Sequence, residues 1–427
     1  MPCAARAMPP STPPVAPSPD PTHQVAAPMT DSVDDTASRR HFLKLAAMFT
    51  AAGALPLLQG FEKAVAAEPD APVRIGYLPI TDATPLLVAH QRGLFQQQGL
   101  AVEQPRLFRS WAQIVEAFLS GQVNVVHMLS PMTVWARYGS KSPSKVVAWN
   151  HVCGSALAIT VKKGVDRLDD LAGTTVAIPF WYSVHNVVLQ HLLKKRGIES
   201  IGSGEPGPRQ VKLVVMAPSD MVPALAGGRI AAYIVAEPFV ALAESLKVGK
   251  VLRFTGDVWK DHACCVVQMH ERDLEQRPAW SQKVVNAIVQ AQAWARDHRD
   301  DTAHLLAKGG EGKYTPHAYE TLAKVLAPPA TDDAAYAATG AIRHPEWHQH
   351  RIDFQPYPYP SYTETLVSML KTTYVEGKND FLADLDPAFV ARDLVDDRFV
   401  KKAIADHGGM AAFGLPEGFT RHEQIAD

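Results

Sequence analysis

The stretch VAIPFWYSVHN, residues 176–186, sets three consecutive aromatics between an apolar run and an amphipathic one. Phe180, Trp181 and Tyr182 are costly to leave in an ordinary surface loop. Where a strand hands over to a helix, their faces offer a ligand apolar contact, stacking or cation–π attraction. The competing reading packs one or two of them beneath the following helix. Ser183 and His185 stand at the start of that helix and can donate to ligand oxygens, although His185 reads equally well as structural. Ser130, at another strand end, offers a hydroxyl or a backbone N–H. His127, inside VVHML, and His151, opening HVCGSAL, read better as satisfied core histidines.

Thiols and histidines raise the question of metal. Of four cysteines, Cys3 falls in the leader, leaving Cys153, Cys264 and Cys265. Adjacent cysteines rarely bridge each other, so no disulfide framework is legible. In DHACCVVQMH a strand would set His262 and Cys264 on one face, which is ligand-like, but the apolar run reads as core. His344 and His348 show the i, i+4 spacing of a helical metal pair, yet Pro345 and the polar context indicate a surface loop. Neither segment resembles the paired C-x-x-C of a structural zinc site, so no metal ligand is assigned. There is no G-x-S-x-G elbow, Walker A loop or H-E-x-x-H, and no spacing supports a catalytic Cys/His pair. On these motifs the chain is not expected to be an enzyme.

These residues need a frame. The chain has 427 residues, 47% hydrophobic and 20% charged, with formal charge −2. This is a globular composition long enough for two domains, and it gives no reason to expect a nucleic-acid partner. The proline-rich start reads as disordered. Arg39 and Arg40 then form a twin-arginine pair in S-R-R-x-F-L-K, followed by an apolar run too short for the about 20 residues of a membrane span. Ala64-Val65-Ala66 offers a cleavage site. Residues 1–66 are therefore expected to be a leader and Tat signal peptide, directing the chain to the periplasm and leaving no membrane span after cleavage.

After Pro72 an apolar β-rich run, a short turn and a helical pattern recur. The turns fall at Thr81-Asp82, Ser130, residues 180–183 and Glu237-Pro238, with Pro85 and Pro131 opening helices, where their missing N–H costs nothing. Strands alternating with helices predict α/β architecture with mainly parallel sheets, whose ligands gather at the strands' carboxyl ends. Residues 72–160 and 262–427 are expected to form a discontinuous first lobe and 165–255 a second, with a ligand cleft between them.

The order of TDATPLLVAHQRGLF, SW, AFLSGQVNVVHMLSPM, DDLAGTTVAIP and GRIAAYIVAEPF resembles the nitrate/bicarbonate/sulfonate-type substrate-binding proteins of ABC importers, a family that includes binders of thiamine-pyrimidine precursors. The likeness covers residues 72–270. It implies the type II periplasmic binding protein fold and a monomer that hands a small ligand, an oxyanion or small organic molecule, to an ABC permease. It also implies ligand roles for Thr81 and Asp82 in the first loop, for Trp111 as a pocket wall, and for Glu237. A glutamate at that junction fits a bridging metal such as calcium, or a ligand with a cation or donor, better than a bare monovalent anion. No cofactor is otherwise expected. The alternative is an exported enzyme or metal-handling protein on the same fold, akin to the pyrimidine synthases.

Overall fold

The structure, a computed structural model, describes residues 71–162, 164–347 and 351–427. The leader, the twin-arginine signal and the cleavage site, with His348 and His350, lie outside the described residues. Four strands come first: β1 (Ile75–Tyr77), β2 (Arg106–Leu107), β3 (Val125–Leu129) and β4 (Ser144–Trp149). They are followed by β5 (Val152–Cys153), β6 (Ser155–Thr160), β7 (Thr175–Ile178), β8 (Glu199–Ile201) and β9 (Gln210–Val215). The last are β10 (Ala232–Ala236), β11 (Gly249–Phe254), β12 (Cys265–His270) and β13 (Ile352–Asp353).

Two sheets result, ordered β2-β1-β3-β12-β4 and β11-β6-β10-β7-β9-β8, and β5 pairs with β13 in a small ribbon. Both main sheets are mixed. Parallel pairing joins β1 to β2 and β3 and links β10, β7, β9 and β8, whereas β12 and β6 run antiparallel to both their neighbours. These two antiparallel strands lie where the chain passes between the sheets. β3, β6 and β10 are buried along their whole length, as strands covered on both faces must be.

The outward crossing comes earlier than the sequence suggests. Residues 155–160, expected in the first lobe, form β6 of the second sheet, in register with β10 from Ala236 against Ser155 to Ala232 against Ile159. The turn that redirects the chain is at Cys153 and Gly154, both at positive φ, 58° and 75°. Gly154 is needed there twice over, because a Cβ would also meet the Ile352 side chain at 3.0 Å.

The helices that matter for the site start directly after strands. Helix α1 (Thr84–Gln91) and α3 (Ser130–Val134) carry Pro85 and Pro131 in their first turn, where the ring's fixed φ suits the helix. Helix α2 (Trp111–Leu119) and α4 (Val184–Lys195) are capped by Ser110 and Ser183, whose hydroxyls accept from the N–H of Gln113 and Asn186. Helix α5 (Phe239–Ser245) follows Glu237-Pro238. The long α6 (Pro278–Asp297) packs on α1, and α7 (Pro360–Leu370) lies on α3. Among the described residues no helix is long and apolar enough to cross a membrane.

Candidate functional site

Because β4 and β12 flank one another antiparallel, the carboxyl ends of β1, β3 and β4 share an edge with the amino end of β12. Four side chains meet there: Asp82 after β1, His151 after β4, Cys264 just before β12 and Cys265 at its first position. Their donor atoms lie within 4.8 Å of one another, and all four residues are fully buried. Asp82 Oδ2 stands 3.0 Å from His151 Nε2 and accepts from the Cys265 thiol at 3.1 Å. Successive strand residues point to opposite faces, so two neighbouring cysteines reach one place only because the chain bends at Cys264.

The second sheet contributes from the opposite side. Ser155, the first residue of β6, and His185, in the first turn of α4, are hydrogen-bonded at 2.9 Å. The Ser155 Oγ and the His185 Nε2 each lie 3.7 Å from Cys264 Sγ. Nearby, the backbone N–H and hydroxyl of Thr81 both donate to the carbonyl of Glu237, at 2.9 and 3.0 Å. The two sets of strand ends are therefore tied at a buried polar centre.

Burial sets the electrostatics. It pushes the Asp82 carboxyl up to about 6, against the pull of His151. Burial, the largest single influence, would lower His151, but the charges and hydrogen bonds of Asp82 and Cys264 together outweigh it and lift the imidazole to about 10. Burial opposes a thiolate at Cys264, yet the Cys265 thiol and the imidazoles of His185 and His151 hold it well below the usual thiol range. Cys265 is pushed well above it by burial and by its anionic neighbours. His151 Nε2 also lies 3.2 Å from the Cys265 backbone N–H, which asks it to accept, whereas Asp82 asks it to donate. One nitrogen cannot do both. Among the described residues Asp82 Oδ1 and the Nδ1 atoms of His151 and His185 have no hydrogen-bond partner.

Of the ten residues singled out in the sequence, Asp82 and His185 reach this cluster directly. Thr81 and Ser183 are buried and serve backbone geometry; the Ser183 hydroxyl donates to the Phe180 carbonyl. The Ser130 hydroxyl binds the Ala263 carbonyl at 2.9 Å and the Tyr362 hydroxyl at 2.7 Å, bracing the segment that carries the cysteines. Trp111 is buried with its ring 5.4 Å from that of His127. Phe180 and Tyr182 are buried, Tyr182 between the rings of Trp135 and Phe381 at 6.3 and 6.2 Å, and Trp181 is half-buried against Tyr374. Glu237 has both carboxylate oxygens engaged, by Arg351 and by the Ala241 N–H, each at 2.9 Å. The free acidic ligand-facing group expected there is instead half of a buried ion pair.

His127 is a core histidine, accepting from the Leu78 N–H at 2.9 Å and lowered by burial to about 3. His151 is not simply core, and neither are the cysteines; these, with Ser155, are what sequence reasoning missed. The available signal was the cysteine doublet ahead of an apolar strand. The face-sharing argument failed because β12 starts at Cys265, so His262 lies outside it, with Nδ1 held by the Trp259 carbonyl at 2.8 Å. His344 pairs with Glu346 and stacks on Trp347.

A model of the NMT1-like family matches residues 66–308. The chain is 30% identical over 248 residues to the nitrate import ATP-binding protein NrtC of Synechocystis, a match covering 55% of this chain and 36% of the relative. The chain thus spans about a third of the length of that relative. It is 24% identical over 312 residues to the nitrate/nitrite binding protein NrtA of Nostoc, 68% of each chain. The crystal structure of the periplasmic nitrate-binding protein NrtA from Synechocystis superposes with a TM-score of 0.66 at 18% identity, covering 83% of this chain and 93% of that one. The fold is that of the periplasmic binding proteins.

Proposed function

Because the chain belongs to the NMT1-like family, we propose that it is an extracytoplasmic solute-binding protein of an ABC importer. It captures a small solute where the two sheets meet and delivers it to a permease driven by an ATP-binding partner. One observation carries this reading: strand ends of both sheets converge on one buried polar centre, with Ser155 and His185 of one side in contact with Cys264 of the other. A centre fully closed to solvent implies that solute enters through an open form, and that binding shifts the population by its preference for the closed one. The nitrate-related proteins above support the importer class. Residues 72–154 with 262–427 are read as one lobe and 155–255 as the other, and the twin-arginine leader supports a periplasmic location. Asp82 and His185 are read as touching the solute, with the half-buried Trp181 beside its path.

Thermal unfolding of the purified chain against nitrate, nitrite, bicarbonate, alkanesulfonates, aromatic carboxylates, pyrimidines and metal salts tests this. A solute at about 100 times its Kd adds about 2.7 kcal/mol. One strong, saturable shift, matched by loss of uptake of that solute when the gene is deleted, is the expected result. Turnover of a panel compound by the pure protein, with uptake intact in the deletion strain, would refute it in favour of an exported enzyme.

A further inference from the structure

We propose that Asp82, His151, Cys264 and Cys265 form a four-donor site for a thiophilic metal ion of the Zn2+ class, and that this ion is the solute the chain captures. The second half rests on the import reading; the first stands without it. The argument begins with donor chemistry. Two sulfurs, one imidazole nitrogen and one carboxylate oxygen within 4.8 Å match what tetrahedral zinc takes, and two thiolates select against hard cations. Calcium and magnesium need six or more oxygens, whereas Asp82 supplies the one carboxylate in this set.

The distances are those of donors held together by protons instead of an ion. Bond lengths to zinc of about 2.0–2.3 Å place neighbouring donors about 3.3–3.8 Å apart. The 3.0 Å from Asp82 to His151 and the 3.1 Å from Asp82 to Cys265 are a few tenths of an ångström shorter. A few tenths of an ångström of movement at Asp82 therefore brings these two separations into the zinc range, with the whole donor set lying within 4.8 Å. The cluster also has local reasons to accept one. A buried carboxylate and a buried sulfur lie in contact, Asp82 Oδ1 has no partner among the described residues, and His151 Nε2 faces two incompatible demands. A cation in their midst separates the carboxylate from the sulfur and supplies the counter-charge both lack, since every donor then turns a lone pair towards it; if His151 binds through Nε2, the Cys265 N–H gives up that acceptor.

Four protein donors complete a tetrahedron, leaving no position for a substrate. That is the pattern of a site that holds the ion for its own sake and not for chemistry on something else. Its placement adds the link to closure. The four ligands come from the first sheet's edge, and His185 and Ser155 of the second sheet close on Cys264 from the other side. Binding of the ion and approach of the two sheets are thus one event.

The test uses the purified full chain, stripped with a chelator under reducing conditions and titrated with Zn2+ and with Co2+ as a spectroscopic probe. The expected result is one ion per chain and a thiolate-to-cobalt charge-transfer band, which binding at surface histidines does not produce. Cys264→Ser, Cys265→Ser and Asp82→Asn are each expected to weaken binding by about a hundredfold or more, with Cys153→Ser unchanged. Circular dichroism checks folding, and the wild-type cobalt spectrum stands whether or not a variant folds. A cobalt complex lacking the thiolate band, or Zn2+ affinity that survives the cysteine substitutions in folded protein, would overturn the site while leaving the import reading to its own solute panel. Tight binding at the site with normal zinc accumulation in a deletion strain would overturn the ion's role as cargo and keep the site.

Discussion

Arg351 meets Glu237 at 2.9 Å, Nη1 to Oε1, with side chains 4% and 0% exposed. The same guanidinium reaches Glu244 at 2.9 Å and the Tyr336 hydroxyl. It thus clamps the segment before β13 to both ends of α5. Removing one partner of a buried pair leaves an uncompensated charge, at about 3–5 kcal/mol. Arg351→Ala should lose that much stability in urea denaturation; Arg351→Ala with Glu237→Gln should recover part of it. A double variant no better than the single one would show that the clamp acts through Glu244 instead.

Acid should weaken the fold at a second cluster. Asp393 is held well below the usual carboxylate range by hydrogen bonds from Arg137, one of them 2.8 Å, against the opposing effect of burial. Its folded pKa is depressed, so its contribution is complete above the unfolded value of about 4 and drains away as pH falls further. Burial raises Asp82, by contrast, so its share is largest in acid and is lost as pH climbs through about 6. Asp393→Asn should cost about 1.5–3 kcal/mol at neutral pH and flatten the fall in melting temperature below about pH 4. An unchanged acid limb would assign that loss to other carboxylates.

Tyr362 donates to the Ala263 carbonyl and shares a hydrogen bond with Ser130. Because Ala263 precedes the cysteine pair, Tyr362→Phe should both lower stability, by about 1–3 kcal/mol for the disturbed buried polar groups, and weaken Co2+ binding. A loss of stability with cobalt affinity intact would make the tyrosine a structural brace alone.

Cys153, Cys264 and Cys265 are all buried. In a Cys3→Ser background, a thiol reagent should label the native chain only slowly and report three thiols after denaturation. Zn2+ should slow two of them further. Fast labelling of native protein would mean that the cluster opens readily without a solute.

Much of this frame could be read from the chain itself. Pro85, Pro131 and Ser183 mark helix starts through local backbone chemistry, and each is where a strand hands over to a helix. The bend at Cys264 and the turn at Cys153 and Gly154 could not be read the same way, because they depend on what lies across the sheet. Of the three consecutive aromatics, Phe180 and Tyr182 are buried and Trp181 is half-buried. Glu237 could be placed at its junction, but its partner comes from 114 residues away, beyond the reach of any spacing argument.

The double passage between sheets also has a kinetic meaning. Asp82 and Cys265 are 183 residues apart, and His151 and Cys265 are 114 apart. Such contacts reward the chain only after long loops have closed, so they form late. The cluster cannot nucleate folding; it is assembled by a molecule that is nearly finished. Anything held there should therefore leave the refolding rate almost unchanged and lengthen the lifetime of the native state, because its hold is absent when the transition state is crossed.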